Sequence, residues 1–159
     1  MITLAALKAR FRYDPLTGIF TYRCGQKRRA GKVAGTITNG HIQICIDYKH
    51  YYAHRLAWLY HYGIWPPDQI DHKDRNGLNN KIDNLRLASN RENMCNIGKT
   101  NVSNGLPKGV FKTSKGKFGA KISLLNKQLY LGYFATAQEA GEAYKQASLK
   151  YHGQFSPFR

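Results

Sequence analysis

A polar stretch rich in Gly and Asn, CNIGKTNVSNGLPKG at 95–109, interrupts the chain past its midpoint and limits what it can fold into. Such residues favour turns and leave no apolar period for a helix or strand to use. Residues 98–106 therefore read as a linker between two small pieces, 1–97 and 107–159, each with a thin core. Apolar residues make up 42% of the 159, enough for two such cores. The opening MITLAALKARFRYD holds no long apolar run, so neither a signal peptide nor a membrane span is expected, and the expected location is cytoplasmic. Cys24, Cys45 and Cys95 are far apart and form no CxxC pair, which argues against a disulfide framework or a cysteine-based zinc site and fits a reducing compartment.

Charge narrows the partner. Lys and Arg number 25 against 9 Asp and Glu, a formal charge of +16. Self-repulsion on that scale is relieved by a polyanion, and eleven Tyr add groups that stack and bond phosphate. A membrane surface or an acidic protein is the other class that would fit. The acids are concentrated: Asp68, Asp71, Asp74, Asp83 and Glu92 lie within 68–92, whereas 93–138 has none and gathers Lys99, Lys108, Lys112, Lys115, Lys117, Lys121 and Lys127. An acidic pocket beside a basic face is the arrangement a metal-using nuclease requires.

Local signals order the elements. Residues 4–10 suit a short helix, and YDPLTG at 13–18 a turn before strand-like IFTY at 19–22. GQKRRAGKVAG at 25–35 reads as a basic loop. Ile42, Ile44 and Ile46 alternate with His41, Gln43 and Cys45, the period of a half-buried strand. A turn over 47–50 leads into Tyr51 and Tyr52, then a helix over 53–62 that Gly63 ends. Beyond the linker, GVFKT, FGAKISL and KQLYLGYF read as three strands joined by SKGK and LNK turns. A helix follows with Thr136 as N-cap, Glu139 at the capping-box spacing, and Ala140, Ala143, Tyr144, Ala147 and Leu149 as its apolar face.

The segment 70–96, IDHKDRNGLNNKIDNLRLASNRENMCN, carries the chemistry. Asp71-His72 follows apolar Ile70. Asn84 stands twelve residues after His72, and Asn93 nine further on, in the first turn of a helix that Ser89 and Glu92 would cap. Asn79 and Asn80 read as turn residues, Trp58 and Trp65 as core, and Asn96 as a possible neighbour of Asn93. His41, His50, His54, His61 and His152 have no comparable setting. Strand, loop, strand and helix with these residues resemble the ββα-metal finger of HNH endonucleases. Over residues 10–96, including AHRLAW at 53–58, the likeness is to the phage and intron-associated homing branch. The resemblance implies His72 as general base, Asp71 and Asn93 as ligands of one Mg²⁺ or Mn²⁺, and Asn84 as the residue that holds the His72 loop. The family often has His where this chain has Asn93. His54-Arg55 suits either packing or a phosphate contact by Arg55.

Residues 107–159 resemble a second family, the plant ethylene-response-factor (AP-two) DNA-binding domain, through KGVFKTSKGKFGAKI, YLGYFATAQEAGEAY and Gly153. That likeness implies three antiparallel strands on one helix, with Lys108, Phe111, Lys112, Lys115, Lys117, Lys121 and Tyr130 facing DNA. Lys stands where many relatives carry Arg, and a point charge lacks the fork that reads guanine bidentately. The joint expectation is an α+β, metal-dependent endonuclease of double-stranded DNA, homing-like, using neither a membrane nor a small-molecule substrate. Its rivals are a DNA-binding regulator with an inactive nuclease fold and a nuclease of RNA or structured nucleic acid.

Overall fold

The computed structural model describes residues 1–23, 29–96, 105–124 and 127–158. Most of the expected linker, the first part of the 25–35 loop and two residues of the LNK turn lie outside them. The chain divides into two compact units, Met1–Asn90 and Arg91–Arg159. Both mix helices with antiparallel strands, so the α+β class holds.

In the first unit, α1 (Leu4–Arg10) starts where the Thr3 hydroxyl accepts the Ala6 N–H at 3.2 Å. Lys8 and Arg10 end it, where cations suit the helix dipole. β1 (Phe11–Asp14) and β2 (Ile19–Tyr22) form a hairpin. The Asp14 carboxylate closes its turn by accepting Leu16 N–H at 2.9 Å and the Thr17 hydroxyl at 2.8 Å. Gly18 sits at φ 76°, and a Cβ there would lie 2.5 Å from the backbone of Asn80 and Lys81. Only glycine lets this turn rest against the 73–81 loop. The Ile82 N–H also reaches the Pro15 carbonyl at 3.2 Å.

A three-stranded meander follows: β3 (Thr36–Thr38), β4 (His41–Ile46) and β5 (Lys49–Tyr52). The expected alternation appears as buried Ile44 and Ile46 around exposed Cys45. The turn before β5 is tighter than its four-residue reading. Asp47 and Tyr48 both adopt positive φ (49° and 60°), reversing the chain in two residues and leaving Lys49 and His50 to the strand. α2 (Ala53–Tyr62) ends at Gly63 in the left-handed conformation, φ 79°. β6 (Gln69–His72) then pairs antiparallel with β7 (Leu85–Ala88), and a 3-10 turn, Ile82–Asn84, precedes β7. The core gathers Leu7, Phe11, Phe20, Ile44, Leu56 and Ile70 with their neighbours, and Trp58 and Trp65 pack against it.

In the second unit, which takes all of α3 (Asn90–Asn96) but its first residue, that helix begins one residue after Ser89. β8 (Val110–Lys112), β9 (Phe118–Leu124) and β10 (Lys127–Phe134) form an antiparallel sheet in the order β10-β9-β8, and α4 (Ala137–His152) packs on it. The capping box on α4 is complete: Thr136 accepts from Glu139 N–H at 3.2 Å, and the Glu139 carboxylate takes the Thr136 N–H at 3.3 Å. Ala140, Tyr144 and Ala147 are buried as the apolar period requires, whereas Ala143 and Leu149 are half-buried. Buried Ser148 is satisfied by the Ser156 hydroxyl at 2.9 Å.

Candidate active site

The β6–β7 hairpin sets the first pair of functional groups. Its register places Asp71 opposite Arg86 and His72 opposite Leu85. Arg86 donates Nε (2.7 Å) and Nη2 (2.5 Å) to Oδ2 of Asp71, with both residues buried. Charge-assisted bonds of this kind offset the desolvation of two ions and decide which way the carboxylate faces.

His72 is 6% exposed, and its Nε2 lies 3.2 Å from Oδ1 of Asn80. Asn80, itself 1% exposed, donates its amide NH₂ to the Leu78 carbonyl at 3.3 Å, and its backbone carbonyl accepts the Tyr13 hydroxyl at 2.7 Å. The amide oxygen therefore faces the imidazole, and an oxygen can only accept. Nε2 of His72 must carry the hydrogen, which puts the ring's lone pair on Nδ1. Burial pushes the His72 pKa below its ordinary value and His41 adds to that, while the Asn80 bond and the charges of Asp74 and Asp71 pull it upward. A neutral imidazole at neutral pH is competent to accept a proton.

The loop between the strands is built from Asx bonds. Asn84 donates to Asp74 Oδ1 (2.9 Å) and to the Asn79 carbonyl (2.8 Å), while its own amide oxygen accepts Asp74 N–H (3.1 Å). Asp74 also takes the Asn76 N–H (2.9 Å) and the Asn79 amide (2.7 Å). Burial works against the Asp74 charge, but its hydrogen bonds with Asn76, Asn79 and Asn84 hold its pKa below the usual value. Asn84 thus bonds the loop that follows His72, and Asn80 bonds the imidazole itself. Asn80 read as a turn residue in the sequence. Its role rests on a loop closure that brings position 80 back to position 72, which turn propensity does not encode.

Two further imidazoles adjoin His72. His41, the first residue of β4, and His54, the second of α2, have ring centroids 5.7 Å and 5.1 Å from it and 5.6 Å from each other. One nitrogen from each of the three lies within 4.8 Å of the others. Tyr52 stacks on His54 at 5.2 Å. His54 is 9% exposed; burial first, then His72, His41 and Arg55, push its pKa down to about 3.

That depression makes a prediction. In the unfolded chain His54 titrates near 6.5, so between that value and about 3 the unfolded state binds the extra proton. The stability this group contributes is complete above pH 6.5 and lost as pH falls toward 3. Urea unfolding of the metal-free protein should show wild type losing stability faster than His54→Leu below about pH 6.5, by up to about 1.4 kcal/mol per pH unit. A stability difference independent of pH would show that His54 is not held neutral.

The other sequence candidates are placed as follows. Arg55 donates Nη1 to the Asp68 carbonyl (3.1 Å) and Nη2 to that of Pro66 (3.2 Å), anchoring the loop that leads into β6. Asn93 is half-buried on α3, in the second unit. Also in that unit, Lys108 donates to the Cys95 carbonyl at 3.2 Å. Phe111 meets Tyr130 edge-on at 6.5 Å, and Lys121 Nζ lies 5.5 Å over the Phe111 ring while donating to Gln128 at 3.0 Å. Lys112, Lys115, Lys117 and Tyr130 are exposed. A cleft of about 590 Å³ in this unit is lined by Arg91, Lys108, Lys121 and Lys127 with no acid among its lining residues.

Residues 51–95 match the family model described as HNH endonuclease. The match runs from β5 through α2 and the β6–β7 hairpin into α3 and contains Asp71, His72, Asn80, Asn84 and Asn93. It is a likeness to a nuclease, so nucleic acid is the implied substrate. No curated protein and no solved structure matches the chain. Among the described residues, no helix is long and apolar enough to cross a membrane.

Proposed function

We propose that this chain is a metal-dependent endonuclease of double-stranded DNA, homing-like, in which His72 activates the attacking water. The observation that carries this reading is the buried His72 imidazole, held by Asn80 with its lone pair on Nδ1, next to a carboxylate oriented by Arg86. In-line attack at phosphorus needs a base for the water and relief for the charge on the departing 3′ oxygen. His72 Nδ1 takes the proton, and the Asn84 bonds keep the loop that follows it in shape. Asp71 is a hard oxygen donor suited to Mg²⁺ or Mn²⁺, and Asn93 is the second ligand by likeness to the family. A divalent ion bound there supplies charge neutralisation at the phosphate and leaving oxygen. The ethylene-response-factor-like module, through Phe111, Tyr130 and the exposed lysines, serves as the DNA anchor, with the phosphate and stacking chemistry its surface offers.

Plasmid cleavage with Mg²⁺, Mn²⁺ or EDTA, read beside a gel shift in EDTA, tests the proposal. Cleavage that needs the ion, with binding that does not, is the expected result; binding without cleavage under either metal would leave a DNA-binding protein. Asn80 supplies a sharper test. Asn80→Ala should lower cleavage on the order of 10–100-fold, the loss usual when the partner that orients a functional imidazole is removed. Asn80→Asp keeps an acceptor for Nε2–H and should recover much of the rate. Equal rates for the alanine variant and wild type, both folded by circular dichroism, would remove Asn80 from the mechanism.

A further inference from the structure

Hydrolysis as proposed uses one imidazole, yet three converge. His41, His54 and His72 come from separate elements, and one nitrogen of each lies within 4.8 Å of the others. In a tetrahedral zinc site with Zn–N bonds of about 2.0–2.1 Å the ligand nitrogens stand roughly 3.3–3.4 Å apart. Closing that difference takes side-chain rotation of the three rings. Two of the rings already have one nitrogen braced by a hydrogen bond, as metal-bound imidazoles usually do. His41 Nδ1 donates to the Asn39 carbonyl at 3.1 Å, and His72 Nε2 to Asn80 at 3.2 Å. The third, His54, is nine-tenths buried, and its Nδ1 has no hydrogen-bond partner among the described residues. Edge-to-face packing alone accounts for the ring angles but leaves that polar atom unsatisfied, which is costly in a buried position. Neutral imidazoles are ligands for borderline ions such as Zn²⁺, whereas Mg²⁺ prefers oxygen.

We propose that His41, His54 and His72 form a second metal site, taking Zn²⁺ or a similar transition ion in preference to Mg²⁺, and that filling it switches hydrolysis off by occupying the His72 lone pair. The binding half stands on the geometry of the three rings; the inhibitory half rests on the role given to His72 above.

The test uses the full chain stripped of metal and titrated with Co²⁺. A visible d–d band should saturate at one equivalent, persist in excess Mg²⁺, and be displaced by Zn²⁺. Absence of a near-ultraviolet thiolate-to-cobalt band separates this site from the cysteines. His41→Ala and His54→Ala should each weaken Co²⁺ binding by at least on the order of 10–100-fold. His41 is the less buried of the two, so its variant keeps the test open if His54→Ala does not fold. In Mg²⁺-driven cleavage, Zn²⁺ should inhibit wild type, and the inhibition midpoint for His41→Ala, taken relative to its own uninhibited rate, should rise by the same factor. No stoichiometric band, or equal Co²⁺ affinity in both variants and wild type, overturns the site. Binding of Co²⁺ by a chain that cuts no DNA under any metal upholds the site and overturns both the switch and the nuclease reading. Zinc binding without inhibition of an active enzyme overturns the switch alone.

Discussion

His72→Ala should lower DNA cleavage by about 10²–10⁴-fold, the span associated with loss of a general base, while leaving DNA affinity close to wild type. The imidazole is 6% exposed and faces the hairpin loop, so its removal takes no charge from the exposed lysines proposed to contact phosphate. The substitution leaves the Asn80 amide oxygen without its donor, which affects stability more than binding. Single-turnover cleavage in saturating Mg²⁺ reads the chemical step, and anisotropy in EDTA reads affinity. A folded His72→Ala protein that cuts at the wild-type rate would falsify the assignment of the base. A parallel fall in affinity and rate would mean that the residue acts through binding.

The second large effect is electrostatic. Each phosphate neutralised by a lysine contributes roughly −0.9 to the slope of log K against log salt. On the proposed anchoring role, five lysines on and around the C-terminal sheet, Lys108, Lys112, Lys115, Lys117 and Lys121, should together give a slope of about −3 to −5. Between about 50 and 200 mM salt that alone lowers affinity on the order of 10²–10³-fold. Changing Lys112, Lys115, Lys117 and Lys121 together to Gln should make the slope of the full chain shallower by about 3–4. Three of the four are exposed strand or turn residues, and the fourth lies over the Phe111 ring, so the substitutions bury no new polar group. Anisotropy across the salt range checks it, and an unchanged slope would place the phosphate contacts elsewhere on the molecule.

Much of this protein is written locally. Thr136 and Glu139 are three residues apart, and their reciprocal bonds depend on nothing beyond the first turn of α4, so the capping box is legible in the sequence. Alternation of Ile44, Cys45 and Ile46 across a half-buried strand is local in the same way, as is the stop of α2 at Gly63. The Asp-His pair and Asn84 could be singled out because their spacing resembles a known finger, and Asn84 does bond the loop beyond His72. The turn expected over 47–50 is two residues long in the fold, Asp47 and Tyr48. Its tightness comes from positive φ at Tyr48, an unusual conformation for a tyrosine, which turn composition gives no reason to expect.

The sequence by itself made most of the elements legible, together with the chain's excess of positive charge, because these follow from short-range periods, caps and composition. β3 and the strand ends at Tyr13–Asp14 and Lys49–His50, where turns were expected, appear only in the fold. Only the tertiary structure decided which groups touch. Arg86 meets Asp71 because the β6–β7 register puts them opposite, and a slip of one residue would turn Arg86 to the other face. Asn80 reaches His72 because the Asx-bonded loop folds back under the Tyr13 hydroxyl and the Gly18 turn. His41 and His54 join His72 because the β3–β4–β5 meander and α2 pack on one core. Contacts of that kind depend on the collective closure of a fold, a property that residue spacing does not carry.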